Sequence, residues 1–285
     1  MEPSAQGSTL LTIGQQSLAV SRFSAPTVSG EVGAKKMLGA PKIGEETSVC
    51  QLPHGSELSG WLSSAWEGGS ATVDTSVSIV DRENNVIRGV EMGACSLTEI
   101  EWPTLGASGQ EAFEVTAKWQ PQNIKYVGGG GKAQGVMGQK ARMTTSSFTV
   151  TMPGIPDDAI TSIGLPKITP KIAKESHGKF RTPGPVSEKP IYSSIKIEIG
   201  AAGYKTAEDL AVRILQDGNC EESEFIEIMI DMKDESMTKT LGTFVLRAGL
   251  KSFNWAPKLE GGKEGLATAT MEFVVTDFRF TSGQR

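Results

Sequence analysis

One long passage of this 285-residue sequence occurs twice in the same order. LTEIEWPTLGASGQEAFEVTAKWQP, residues 97–121, has a second version in SFNWAPKLEGGKEGLATATMEFVV, residues 252–275. Each version joins a Trp, a Pro and a Leu to an alternating, strand-like segment. Trp102 and Trp255 lie 153 residues apart (255 − 102), more than half of the chain. A repeat of this length predicts two copies of one structural unit.

The repeat continues into the segments that precede each Trp. Apolar and polar residues alternate there, as in strands with a buried face. Two sets of three segments show this pattern: 75–81, 87–102 and 111–121, then 224–232, 239–255 and 267–280. A strand pair also opens each half, and in these pairs Phe23, Pro26 and Val28 match Ile163, Pro166 and Ile168. The same order of elements in both halves indicates a tandem duplication.

One helix is predicted in each half, over residues 55–69 and 205–219. In the second, Thr206 is the expected N-cap and Gly218 the expected end. Leu210, Ile214 and Leu215 form its apolar stripe. The helical face of the first contains Leu58, Trp61, Leu62, Ala65 and Trp66.

These patterns predict a mainly β protein of two tandem antiparallel β-barrel or sandwich units, each with one flanking helix and a long loop. The expected ranges are 1–127 for the first unit and 147–285 for the second. Between them, 128–146 has the Gly-rich composition of a linker. Trp102 and Trp255 are expected in core positions because each ends a long strand.

The sequence does not indicate an enzyme or a cofactor. GGGGKAQG resembles a phosphate-binding loop, but Lys132 is followed by Ala133 where that motif needs Ser or Thr. His54 and His177 have no Cys or carboxylate at metal-ligand spacing. The acidic pairs Glu45–Glu46 and Glu221–Glu222 are interpreted as solvated loop charge. No catalytic, cofactor-binding or metal-binding residue is therefore assigned.

Charge and cysteine content point to a compartment and exclude some partners. The net charge of −5 disfavours a nucleic-acid-binding surface, which is normally basic. No signal peptide is expected, since the N-terminus lacks a basic region followed by an apolar run, and no membrane span is expected, since no run approaches about 18 apolar residues. The three cysteines, Cys50, Cys95 and Cys220, fit unpaired thiols in a reducing cytoplasm, and disulfides between copies are the alternative.

The repeating unit resembles the tail tube proteins of long-tailed bacteriophages, a family shared by contractile injection machines. The resemblance rests on the passage at 97–121 and on ITPKIAKESHGKFRTPGPVSEKPIYSSIKIEIG, residues 168–200. It implies a small antiparallel β-barrel with one helix and a long loop after the early strands. Tube proteins of the family usually contain one unit and assemble six to a ring. With two units per chain, three copies would close an equivalent pseudo-hexameric ring.

The resemblance further implies a structural virion protein whose rings stack into a tube. The long loops, about 29–47 and 169–190, are the expected stacking elements, and deleting residues 174–188 should abolish stacking. Sheath, tape-measure and baseplate proteins are the implied partners, and DNA or an effector would pass through the lumen without specific binding. The implied location is the virion tail, assembled in the bacterial cytoplasm. Candidate stacking residues in the second loop are Lys174, Glu175, Lys179, Arg181 and Glu188.

Two other functions fit the sequence. A tube initiator, terminal ring or hub-like baseplate protein would use the same units without repeating along a tube. A soluble two-domain β-sandwich that binds sugar or protein would use them without assembly. Long tubes, single rings or a stable monomer would distinguish the three.

Overall fold

A computed structural model describes residues 8–30, 42–51, 57–66, 72–107, 109, 111–133, 143–174, 185–216, 225–255 and 268–282. The elements of the first half are β1 (Ser8–Ile13), β2 (Gln16–Ser24), β3 (Val28–Ser29), β4 (Lys42–Ile43), β5 (Glu46–Gln51), α1 (Glu57–Trp66), β6 (Val73–Val80), β7 (Val86–Glu101), β8 (Leu105–Gly106), β9 (Glu114–Gln120) and β10 (Asn123–Gly128). Those of the second half are β11 (Phe148–Thr151), β12 (Ile160–Ile163), β13 (Ile168–Lys174), β14 (Pro185–Tyr192), β15 (Ile195–Ile199), α2 (Tyr204–Ala211), β16 (Ile226–Lys233), β17 (Thr240–Trp255) and β18 (Ala269–Ser282). The predicted mainly β fold with its strand-rich halves is confirmed.

The chain forms two compact units, and each draws on both halves of the sequence. Unit 1 comprises Met1–Ile100, Glu114–Lys140 and Thr169–Pro190. Unit 2 comprises Glu101–Phe113, Ala141–Ile168 and Ile191–Arg285. The continuous ranges expected from the sequence differ from these units at two segments, 101–113 and 169–190.

Unit 1 contains a closed antiparallel barrel. Its strands pair in the circuit β1–β2–β5–β9–β7–β6 and back to β1. β10 continues β9 along β7, and β13 with β14 extends the sheet from β7. The predicted linker begins in this unit with ordered pairing, because the Gly130 N–H donates to the Val86 carbonyl and Val86 N–H donates to the Gly131 carbonyl.

Unit 2 contains a nearly closed barrel in the order β11–β16–β17–β18–β15–β12–β8. Here β12 pairs with β8, a two-residue strand from the first half of the sequence. The residues after β8 are hydrogen-bonded to the segment before β11: Phe113 N–H donates to the Met143 carbonyl and Thr145 N–H to the Glu111 carbonyl. The described residues of segment 101–113 thus pair with β12 and with the segment that precedes β11.

The two barrels repeat five strand pairings. β1–β6, β6–β7, β7–β9, β9–β5 and β5–β2 of unit 1 correspond to β11–β16, β16–β17, β17–β18, β18–β15 and β15–β12 of unit 2. The register repeats as well, because Gly128 faces Arg88 as Ser282 faces Gly242, and Trp119 faces Glu46 as Phe273 faces Ile195. Phe23 faces Ser48 as Ile163 faces Ile197, which agrees with the sequence match of Phe23 to Ile163. Antiparallel pairing in matching register is what a duplicated unit requires.

The turns that follow β6 and β16 share an Asp side chain that accepts from the backbone N–H four residues further on, Asn85 in the first turn and Thr238 in the second. The Asp81 carboxylate accepts from the backbone N–H of Glu83 and Asn85, and that of Asp234 accepts from Thr238 and Lys239. Asn84 at φ 62° and Met237 at φ 58° occupy the left-handed region. Asn84 and Met237 lie 153 residues apart (237 − 84), the same separation as Trp102 and Trp255.

Met237→Asn is expected to raise the free energy of unfolding by about 1 kcal/mol, because Asn tolerates the left-handed region better than Met does. Met237 is 46% exposed, so little packing is lost. Urea denaturation of the purified chain measures the change. The matched control is Asn84→Met in the other turn, which should lower stability by a similar amount. A loss of stability in Met237→Asn would contradict the interpretation.

Core positions follow the predicted alternation. In β18, Ala269, Met271, Phe273 and Val275 are buried and Val274 is exposed. In α2, Leu210 is buried as predicted, and Ile214 is buried in the π-helical turn Val212–Gln216 that continues the helix.

Three local predictions are wrong. Thr206 does not cap α2, whose N-cap is Gly203; the Thr206 hydroxyl donates to the Gly203 carbonyl from inside the helix. Trp255 ends β17 but is 56% exposed, because its ring lies outside the barrel core. The stretch 169–190, expected to be a long loop, includes most of the strands β13 and β14, and its residues 175–184 lie outside the described residues. Gly218 and the first helix's Leu58, Ala65 and Trp66 side chains lie outside the described residues.

Candidate functional site

The expected stacking loop is partly a strand hairpin. Lys174 ends β13 and Glu188 lies within β14. Glu175, Lys179 and Arg181 fall outside the described residues. A deletion of 174–188 would therefore remove part of β14 as well as the connection between the strands, so charge changes are the cleaner test of stacking.

The cysteines of unit 1 lie inside its barrel. Cys50 is 1% exposed and Cys95 is 0% exposed, and both are free thiols. Burial raises the pKa of Cys50 to about 12 and that of Cys95 to about 11. Thiolate is the reactive form, so both are poor nucleophiles at neutral pH. These observations argue against cross-links between copies through either thiol; Cys220 lies outside the described residues.

Glu46 lies at the start of β5 and is 0% exposed. The interpretation of Glu46 as solvated loop charge is therefore wrong, whereas its neighbour Glu45 is exposed. The Ser48 hydroxyl donates to Glu46 Oε1 at 2.7 Å. Burial raises the pKa of Glu46 to about 7, against a smaller lowering by Ser48 and then by the Trp119 indole. The indole N–H falls short of hydrogen-bond geometry to any described acceptor, so its effect is that of a nearby dipole.

Further polar groups share this interior. Thr75 Oγ1 lies 3.4 Å from Cys95 Sγ, and the charge of Glu46 contributes to the raised pKa of Cys95. Trp119 is 0% exposed and stacks at a tilt against Trp61 of α1, with ring centroids 4.9 Å apart. We call Glu46, Ser48, Thr75, Cys95 and Trp119 the polar core of unit 1.

The equivalent positions of unit 2 are all apolar. Because the strand register is the same in both units, the residues at equivalent positions can be compared. Ile195, Ile197 and Phe273 of unit 2 correspond to Glu46, Ser48 and Trp119 of unit 1. Ile228 and Ala248 correspond to Thr75 and Cys95. All five unit 2 residues are 0% or 1% exposed. The core of unit 1 thus contains an ionisable side chain, whereas unit 2 has apolar side chains at the equivalent positions, although the strand pairing of the two barrels is the same.

The repeated tryptophans have different surroundings. Trp102 packs in unit 2 with its ring centroid 5.3 Å from Phe244, 5.9 Å from Phe278 and 6.1 Å from Phe113. Trp255 has a described ring contact with Tyr204, the first residue of α2, with the centroids 5.9 Å apart. Trp102 therefore contributes to a core, while Trp255 presents most of its ring to the surroundings.

The described part of the chain contains neither a metal-binding cluster nor a membrane-spanning helix. No group of three or more His, Cys, Asp or Glu side chains in that part could hold a metal ion. None of its helices combines the length and apolar character needed to cross a membrane. His54 and His177 lie outside it.

Neither a known family model nor a curated protein matches the sequence. Similar solved structures include a chain of the anti-feeding prophage tube-terminating cap, with 17% identity over 52% of this chain and 95% of that one, at a TM-score of 0.39. Hcp1 from Flavobacterium johnsoniae has 16% identity over 44% of this chain and 98% of its own, at a TM-score of 0.34. A chain of the sheath/tube terminator of the PVC extracellular contractile injection system has 12% identity over 45% of this chain and 98% of its own, at 0.38. At these identities and TM-scores the similarity assigns no role to this chain or to any of its residues.

Proposed function

We propose that this chain is a structural protein of a phage-like tail tube, in which three copies form a pseudo-hexameric ring and rings stack into a tube. The observation that supports the proposal most strongly is the barrel repeated in register within one chain. A chain with two equivalent units supplies two of six positions around a ring, and head-to-tail contacts of this kind close when the rotation fits. The sequence resemblance to tail tube proteins is independent support.

In this function the protein forms a passage for the cargo and performs no chemistry. The lumen would guide DNA or an effector, and a net charge of −5 would limit adhesion of a polyanion to the wall. Sheath, tape-measure and baseplate proteins would be its partners in the tail of a virion or injection particle assembled in the bacterial cytoplasm. Lys174, Glu175, Lys179, Arg181 and Glu188 are proposed to contact the next ring.

Purified protein is expected to form rings with a central hole that stack as its concentration rises. Negative-stain electron microscopy across a concentration series shows the rings, and sedimentation velocity should give particles of three times the 30.3 kDa chain mass. The variant Lys179→Glu/Arg181→Glu should keep single rings and lose stacking, because opposite charges would no longer meet between rings.

Other outcomes identify the alternatives. Single rings that never stack in the unmodified chain favour an initiator, terminal or hub-like ring. A monomer at every concentration contradicts the proposal and favours a two-domain binding module. Rings of two or six chains would contradict the threefold closure.

A further inference from the structure

A row of apolar side chains in unit 2 is packed against Trp102. In this row Ile230 of β16 faces Phe244 of β17, and Phe244 faces Phe280 of β18. All three side chains are buried. The Trp102 ring centroid lies 5.3 Å from that of Phe244, and the Phe113 centroid lies 6.0 Å from it. Two aromatic rings from the segment between β7 and β9 thus cover this part of the sheet.

The equivalent row of unit 1 ends in an exposed tyrosine. Val77 of β6 faces Val90 of β7, and Val90 faces Tyr126 of β10. The counterparts of these three residues in the shared register are, in the same order, Ile230, Phe244 and Phe280. Val90 is partly exposed, and Tyr126 is 57% exposed although Tyr and Phe differ by a single hydroxyl group. The row is therefore covered in unit 2 and largely uncovered at its outer end in unit 1.

The rows on either side of Val90 show the same difference. Ile79 is 46% exposed, whereas its counterpart Met232 is fully buried. Ile124 is partly exposed, whereas its counterpart Phe278 is buried and lies 5.9 Å from Trp102 between ring centroids. Such a contiguous apolar area is typical of an interaction site. We define the exposed face of unit 1 by Ile79, Val90, Ile124 and Tyr126.

The chain contains a second version of the covering tryptophan. Trp255 follows Trp102 by 153 residues (255 − 102) and ends β17, as Trp102 follows directly after β7. Trp255 is 56% exposed, with one described ring contact, to Tyr204. Since Trp255 and Tyr126 each retain more than half of their exposure in the single chain, neither is buried there.

We propose that Trp255 of one copy packs against the exposed face of unit 1 in a second copy. The proposal rests on the proposed ring and names one contact between its copies. The occupant is a second copy because the tryptophan and the face both belong to this chain, and both are exposed in it. Each copy offers one Trp255 and one exposed face, so the contact repeats head to tail and can close a ring.

The repeat also gives the expected position of the Trp255 ring. Trp102 packs on Phe244 and Phe278, whose counterparts are Val90 and Ile124. We therefore expect the Trp255 ring against these two side chains, with Tyr126 beside it. Trp and Tyr are the side chains that most often dominate the binding energy of an interface.

A photoreactive amino acid at position 255 tests the contact. p-Benzoylphenylalanine in place of Trp255 keeps an aromatic group there, and on irradiation it bonds covalently to a nearby C–H group. Denaturing gel electrophoresis should show a band of twice the chain mass, because the bond joins two copies. Mass spectrometry of that band should locate the bond in β10 or in the β7 residues that face it. The matched control has the same amino acid in place of Val274, which is 43% exposed, and should give no bond to those residues.

A double-mutant cycle tests whether the two aromatic side chains act in one contact. Tyr126→Ala and Trp255→Ala should each weaken association about tenfold in sedimentation velocity. The double variant should also lose about tenfold rather than about a hundredfold, because both changes remove the same contact. Val274→Ala is the control and should not change association. Circular dichroism verifies that the variants fold, which is expected since all three side chains are exposed.

Four results overturn the inference. A bond from position 255 to β10 found only in chains of monomer mass would mean that Trp255 reaches the face of its own chain. A hundredfold loss in the double variant would mean that the two residues act in separate contacts. Oligomers without any such bond would place the interface elsewhere and leave the proposed ring standing. A monomer of the unmodified protein at every concentration would remove the ring itself, together with the contact.

Discussion

Raising the pH from 5 to 8 is expected to lower the free energy of unfolding by about 2 to 3 kcal/mol through Glu46 alone. The pKa of this carboxyl is about 7 in the folded chain, against an ordinary value of 4.5. Between these values the folded state retains a proton that the unfolded state has released. Stability is therefore fully present below pH 4.5 and falls as the pH rises to 7, at about 1.4 kcal/mol per unit.

Comparison of the unmodified chain with Glu46→Gln isolates this contribution. Both proteins are unfolded in urea at pH 5 and at pH 8, and the other titrating groups cancel in the difference. Glu46→Gln should gain stability relative to the unmodified chain as the pH rises, because Gln cannot ionise. Glu45→Gln is the matched control, since Glu45 is exposed, and it should follow the unmodified chain at both pH values.

A stability difference between Glu46→Gln and the unmodified chain that stays constant with pH would contradict the burial of an ionisable Glu46. Glu46→Ile goes further, because it introduces the residue that unit 2 has at the equivalent position. If Glu46→Ile is more stable than the unmodified chain at pH 8, unit 1 maintains its polar core at a cost in stability.

Trp102→Ala is expected to destabilise the chain by about 3 kcal/mol, because it leaves a cavity among aromatic rings. The indole of Trp102 is within 6.1 Å of Phe113, Phe244 and Phe278, measured between ring centroids. Trp255→Ala, at the repeated position, should cost less than about 0.5 kcal/mol in the isolated chain because Trp255 is 56% exposed.

Urea denaturation measures both variants, in protein dilute enough that sedimentation velocity detects no association. Equal losses in the two variants would contradict the different surroundings of the two tryptophans. The two variants together thus separate a core tryptophan from an exposed one.

The sequence alone determined the long alternating strands and the repeat. Strict alternation in β18 marked Ala269, Met271 and Phe273 as buried, because a strand with one buried face has a period of two. The sequence match of Phe23 to Ile163 agrees with the strand register, because the two residues occupy equivalent positions in equivalent strand pairs. Element type and order follow from such local patterns.

Only the tertiary structure decided which unit each segment joins. Residues 101–113 belong to unit 2 and residues 169–190 to unit 1, although the sequence predicted 101–113 in the first unit and 169–190 in the second. The burial of Glu46 likewise depends on its pairing with Trp119, 73 residues away (119 − 46). Nothing within a few residues of Glu46 distinguishes it from the exposed Glu45. Alternation determines on which face of its strand a side chain lies. The strand that pairs with it, and therefore the core that the side chain enters, is set by long-range pairing. That pairing has no local signature in the sequence.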